Sequence, residues 1–122
     1  MELGEEEPVI SWAGPMAEIG KEGLQAKVAE MCDELGLYHY HVPDSRLVSR
    51  RGFPDSFIMN PRYGSHIWRE IKAESGQLSS EQKAFGYALI AGGGDWAVWK
   101  PHDLYNGSIG AELAALAAWR TL

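Results

Sequence analysis

Residues Gly52–Gly76 read GFPDSFIMNPRYGSHIWREIKAESG, and the fold turns on how this stretch is interpreted. Two short runs, Asp55–Met59 and Ser65–Lys72, are rich in β-branched and aromatic residues. Asn60, Pro61 and Gly64 between them are turn formers, so the segment reads as a β-hairpin. The second run sets Arg69, Glu70 and Lys72 among Ile67, Trp68 and Ile71. Residues two apart on a strand share a face, so Glu70 and Lys72 project together while Arg69 and Ile71 leave on the other side. Arg69 then reads as a salt bridge at the sheet margin.

Working outward, Met16–Gly36 places Leu24, Val28, Met31 and Leu35 at helical steps and ends on a glycine, the pattern of an amphipathic helix. Leu37–Val42, LYHYHV, suits a strand, and PDSRLVSRRG after it reads as a loop. Beyond the hairpin, Ser79 or Ser80 caps a second helix that carries Glu81 and Gln82 in its first turn and stops at Gly92. Trp96–Lys100 is a fourth strand, and Ile109–Trp119, with Leu113 and Leu116, a closing helix. The expected order is α-β-β-β-α-β-α, an α/β class with helices flanking a sheet. Residues 1–15 read as an N-terminal extension and 16–122 as a single domain.

The chain has 122 residues, enough to bury a two-layer core without staples. Its apolar runs fall short of the ~20 residues a spanning helix needs, and its N-terminus is acidic, so neither a membrane nor a targeting segment is expected. One cysteine, Cys32, permits no internal disulfide; it reads as a small buried side chain in a reducing, cytoplasmic compartment. The net charge of −6 is uneven. From His41 to Lys72 six basic residues face three acidic ones, giving +3 and leaving −9 elsewhere. The basic island surrounds the hairpin.

Pro54 and Asp55 lie fifteen residues before Glu70 on the adjacent strand, so the hairpin can bring two carboxylates and the Lys72 ammonium together. An isolated Glu-x-Lys triplet is ordinarily a structural ion pair. With Asp55 beside it, the set suits a hard divalent cation such as Mg²⁺, for which Asp55, Glu70 and the Ile71 carbonyl supply oxygen ligands. Such an ion activates water and stabilises phosphoryl charge, with Lys72 neutralising what develops. Arg46, Arg50 and Arg51 precede Asp55, where guanidinium groups suit bidentate phosphate contact. His39 and His41 share a strand face; without a third ligand, packing or phosphate contact is favoured over zinc. GGGD at Gly92–Asp95 follows a helix and lacks the Lys-Ser/Thr of a phosphate loop, so it reads as a helix stop. Trp68, Trp96 and Trp99 read as strand packing.

Five ordered segments, HVPDSRLVSRRGFPD (His41–Asp55), EIK (Glu70–Lys72), GQLSSEQ (Gly76–Gln82), AVWKP (Ala97–Pro101) and the acidic first helix, resemble the PD-(D/E)XK nuclease superfamily and within it the VRR-NUC branch. The likeness runs from about Glu22 to the end. It implies a restriction-endonuclease-like α-β-β-β-α-β core with a mixed central sheet, and a Mg²⁺- or Mn²⁺-dependent endodeoxyribonuclease. Asp55, Glu70 and Lys72 would form the catalytic core, Glu22 a further metal-site acid in competition with Glu18 and Glu30, and Gln82 a neighbour of the scissile phosphate. His41, Ser45, Arg46, Arg50 and Arg51 would contact DNA. Stand-alone domains of this size resemble phage-type enzymes that act as homodimers on branched DNA such as Holliday junctions. Ser56 and Ala73 depart from the pattern, where an aliphatic and a hydroxyl residue are usual, which touches fine geometry only. The rival expectations are a catalytically silent DNA-binding or assembly protein of the same fold, and a metal-dependent enzyme with another substrate.

Overall fold

A computed structural model of the chain describes residues 19–42 and 51–118. Glu18, Ser45, Arg46, Arg50, Trp119 and the N-terminal extension therefore lie outside the described residues.

The elements run α1 (Lys21–Leu35), β1 (Tyr38–His41), β2 (Ser56–Met59), β3 (His66–Ile71), α2 (Ser80–Ala91), β4 (Trp96–Trp99), α3 (Pro101–Tyr105) and α4 (Ser108–Ala118). The four strands form one sheet in the order β1-β2-β3-β4, antiparallel at the first two junctions and parallel at the third. The mixed sheet with flanking helices is thus as expected. Two points differ from the sequence reading. The described part of the first helix begins at Lys21, and the short helix α3 was not anticipated. Its local signals are plain: Pro101 opens it, Asp103 Oδ2 accepts the Lys100 N–H at 2.8 Å, and Asn106 and Gly107 end it. The charged and aromatic PHDLY shows no apolar period, so the pattern that found the longer helices passes over it.

One face of the sheet holds the core. Ile58, Ile67, Ile71 and Trp99 meet Leu24, Val28 and Cys32 of α1 and Ile109, Leu113 and Leu116 of α4, all buried. Burial pushes the Cys32 thiol up to about 12, with Asp33 adding to the rise, so it stays protonated and serves as an apolar filler. Asn60, fully buried in the hairpin turn, donates to the Leu116 and Ala117 carbonyls at 3.1 and 3.0 Å. It satisfies carbonyls that the end of α4 would leave orphaned and pins the turn to the helix.

The other face is covered by α2 on the β3–β4 side. Gly86 lies against Trp96 so closely that a Cβ there would enter the indole ring. Phe53 packs edge-on against both Trp68 and Phe85, at 5.7 and 5.3 Å between ring centroids. Among the described residues no helix is long and apolar enough to cross a membrane.

Candidate active site

The hairpin register pairs Ser56 with Arg69, which puts Asp55, one residue earlier, alongside Glu70. Asp55 is locked there from three sides. Its Oδ1 accepts the Ile71 N–H at 3.0 Å, and its backbone carbonyl accepts both the Val42 N–H and His41 Nδ1–H at 3.0 Å. Both acids are buried, Asp55 to 6% exposure and Glu70 to 2%. Their charges are only partly offset: Lys21 Nζ lies 3.0 Å from Asp55 Oδ2, and Lys72 Nζ 4.0 Å from Glu70 Oε2. Gln82 Nε2 donates to the same Glu70 oxygen at 3.0 Å.

Glu70 carries the strain of this arrangement. Loss of hydration on burial, then the negative charge of Asp55, push its carboxyl up to about 7, although Lys21 and Lys72 pull the other way. Glu70 therefore takes up a proton as pH falls through about 7, well above the range of an ordinary carboxylate. Asp55 Oδ2 is a buried acceptor with no hydrogen bond at an acceptable angle, because the Lys21 ammonium meets it off axis. Its one close partner is that ammonium, held by charge rather than by a directed hydrogen bond.

Gln82 is delivered by local sequence. Ser79 caps α2, accepting the Gln82 N–H at 3.1 Å, while Gln82 Oε1 accepts the Ser79 N–H at 2.8 Å. With the amide oxygen engaged by a backbone donor, the NH₂ end is left for Glu70. Gly52 lets the start of α2 come this close: it adopts φ +89°, and a Cβ on it would strike the Glu81 carbonyl.

The expected residues sort clearly. Asp55, Glu70, Lys72, Gln82 and the Ile71 backbone are brought together, and His41 supports them from beneath. Glu22 is exposed and does not join them; among the described residues no three acids, histidines or cysteines cluster to hold a metal. The reason is helical phase. Lys21 precedes the buried Leu24, Val28 and Cys32 by three, seven and eleven residues, on their stripe, whereas Glu22 is turned about 100° away. Lys21 is the residue that sequence reasoning missed, and that spacing would have found it. Arg51 is exposed near Gly52. Arg46, Arg50 and Ser45 fall outside the described residues.

A hard divalent cation fits this donor set: two buried carboxylates, one with an oxygen that accepts no hydrogen bond and meets only a displaceable lysine ammonium, are what Mg²⁺ or Mn²⁺ takes when water and phosphate complete its shell. No family model matches the chain, and neither a curated protein nor a solved structure matches it. The functional reading therefore stands on residues and geometry.

Proposed function

We propose that this chain is a metal-dependent endodeoxyribonuclease of the PD-(D/E)XK type, similar to the VRR-NUC branch, that hydrolyses DNA phosphodiester bonds with Mg²⁺ or Mn²⁺. The observation that carries the reading is the buried Asp55–Glu70 pair with Lys72 beside it and an Asp55 oxygen that meets only the Lys21 ammonium, without a directed hydrogen bond. Two acids are held out of water, one of them with its carboxyl pushed up to about 7, at a cost that a hydrophobic pair would avoid, and such perturbed groups gather at functional sites. The element order supports the restriction-endonuclease-like core: a helix, an antiparallel hairpin and its neighbour, then a crossover helix leading to a parallel strand.

A bound divalent ion would supply an activated water and stabilise charge on the phosphoryl oxygens. The chain's own residues do the rest. Asp55 and Glu70 offer carboxylate oxygens, and Gln82 fixes the rotamer of Glu70. Lys72, one residue past the end of β3, holds its ammonium where charge develops. Branched DNA as substrate and a two-fold pair presenting two sites to two strands belong to the same proposal.

Incubation of the full chain with labelled four-way junction, flap and linear duplex, with Mg²⁺, Mn²⁺ or EDTA, tests it. Cleavage is expected with metal, absent in EDTA and at least a hundredfold slower in Asp55→Asn. Wild type that cuts none of the three sinks the reading; cleavage that survives Asp55→Asn sinks the site.

A further inference from the structure

The sheet face that carries Glu70 continues away from the acids as an aromatic surface. By register, His66, Met59 and Tyr38 form one row across β3, β2 and β1; Trp68, Phe57 and Tyr40 form the next; Glu70 with Asp55 alongside forms the third. Helix α2 covers the β4 side of this face, through Gly86 on Trp96, and among the described residues the β1 side is left open. Tyr38 is 62% and Tyr40 61% exposed, His66 is exposed, and Phe57 and Met59 are half-buried. A solvent-facing strand surface normally alternates to polar residues. Here the first two rows hold four aromatics, a methionine and a histidine, with no carboxylate, in a chain of net charge −6. An acid-free aromatic patch on an acidic protein suits a flat partner that itself carries negative charge.

Position and spacing narrow the partner further. Tyr40 lies within about 12 Å of Glu70, one row along and two strands across, which is the reach of a few nucleotides. Tyr38 and Tyr40 are about 7 Å apart along β1. That is twice the 3.4 Å rise per base on one strand of duplex DNA, so each ring has room for a base against it only if the bases are unstacked from one another. Paired bases in a duplex offer edges in the grooves rather than faces. We propose that Tyr38 and Tyr40 form a stacking platform for unpaired bases of the DNA strand whose phosphate lies at Asp55 and Glu70. The proposal rests on the nuclease reading and names its substrate class: DNA with a single-stranded segment next to the cleaved bond. Stacking of this kind tolerates any sequence, because every base has a π-face.

The test is fluorescence anisotropy with the full chain in EDTA, so that binding is read without cleavage, using a duplex with a short unpaired arm and a blunt duplex of equal length. Wild type prefers the armed duplex. In the double variant Tyr38→Ala, Tyr40→Ala that preference falls roughly tenfold or more, while Tyr38→Trp, Tyr40→Trp keeps it and shows quenched tryptophan fluorescence on adding the armed DNA. The tryptophan pair gives an independent reading if the alanine variant fails to fold. A preference unchanged by the alanines, equal loss on both duplexes, or no quenching overturns the proposal. So does sedimentation showing that the alanines turn a dimer into a monomer, which assigns the face to a second copy of the chain. Binding of the arm by a protein that cuts no DNA would sink the nuclease reading alone; cleavage of branched DNA without the arm preference would sink the platform alone.

Discussion

Arg69 and Glu70 are adjacent on β3, both buried and both charged, at 4% and 2% exposure, yet their surroundings are opposite. Arg69 is surrounded by what its charge demands. Its Nη1 donates to Asp95 Oδ1 at 3.0 Å and to the Trp68 and Asp95 carbonyls, its Nη2 donates to Glu112 Oε1 at 2.9 Å, and the guanidinium lies 5.1 Å from the centroid of the Trp99 ring. Of its nitrogens only Nε lacks a partner. Glu70 faces Asp55, a like charge, with a lysine no nearer than 4.0 Å and a single amide donor. The strand pleat sends the two side chains to different faces, so one strand hosts both environments without mixing them. A buried ion surrounded by its counter-charges ties α4 to the sheet; a buried acid set against another acid has no such shell of counter-charges, and its carboxyl is pushed up to about 7 instead.

The comparison breaks most visibly if the two residues are exchanged in role. Glu70→Gln is expected to lower metal-dependent cleavage at least a hundredfold while leaving the fold intact. It also changes the pH dependence of stability, with a definite sign. Because the folded protein raises the Glu70 carboxyl from 4.5 to about 7, it prefers the neutral form; the stability tied to that preference is fully present below pH 4.5 and is lost as pH rises to about 7. The rise corresponds to about 3 kcal/mol, so Glu70→Gln should match wild type in metal-free urea unfolding near pH 4.5 and exceed it by up to that amount at pH 8. A glutamine variant less stable at pH 8 would mean that Glu70 is as well paired as Arg69.

Arg69→Met should do the reverse. The loss of two ion pairs and the Trp99 contact costs about 2–3 kcal/mol, less than for a fully buried partnership, because Asp95 is mostly and Glu112 partly exposed. Urea unfolding reads the cost. Cleavage per folded molecule, measured well below the unfolding midpoint, stays within about threefold of wild type. A folded Arg69→Met protein that cuts no DNA would show the two regions to be one.

A smaller effect separates Lys21 from Glu22. Lys21→Met removes the ammonium next to a buried carboxylate and should lower metal-free stability by about 1–2 kcal/mol, discounted because the lysine is partly exposed. Glu22→Gln, at an exposed helix position, should move stability by less than about 0.5 kcal/mol. Parallel thermal scans decide between them, and a larger loss in the glutamine variant would restore Glu22 to the site.

These residues also mark how far the sequence could be read. The alternation of β3 and the turn formers at Asn60 and Gly64 located the hairpin, and the hairpin alone brings Asp55 to Glu70, since that pairing depends on local register. The Ser79–Gln82 capping signal placed the start of α2 for the same reason: it is closed within four residues. Arg69 was expected at a salt bridge, but its partners, 26 and 43 residues away, depend on how α4 and the β4 loop pack, which no local pattern encodes. Lys21 was missed although its helical phase was legible, because the carboxylate it meets, Asp55, belongs to the hairpin and no local pattern links the two. Helix α3 was missed for lack of an apolar period.

The finest test concerns what holds Glu70 in place. Gln82 is fixed by its own amide oxygen, which accepts the backbone N–H of residue 79, and that bond does not depend on the Ser79 side chain. Ser79→Ala deletes only the hydroxyl that accepts the Gln82 N–H at the first turn of α2. Loss of such a cap costs about 1 kcal/mol, read as a lower urea midpoint with an unchanged slope. Gln82 Nε2 should still meet Glu70, so cleavage should remain within about threefold of wild type. If Ser79→Ala instead slows cleavage as far as Glu70→Gln does, Gln82 takes its place only through the cap, and the isolation of the Glu70 side from ordinary structural bonds, which sets it apart from Arg69, is lost.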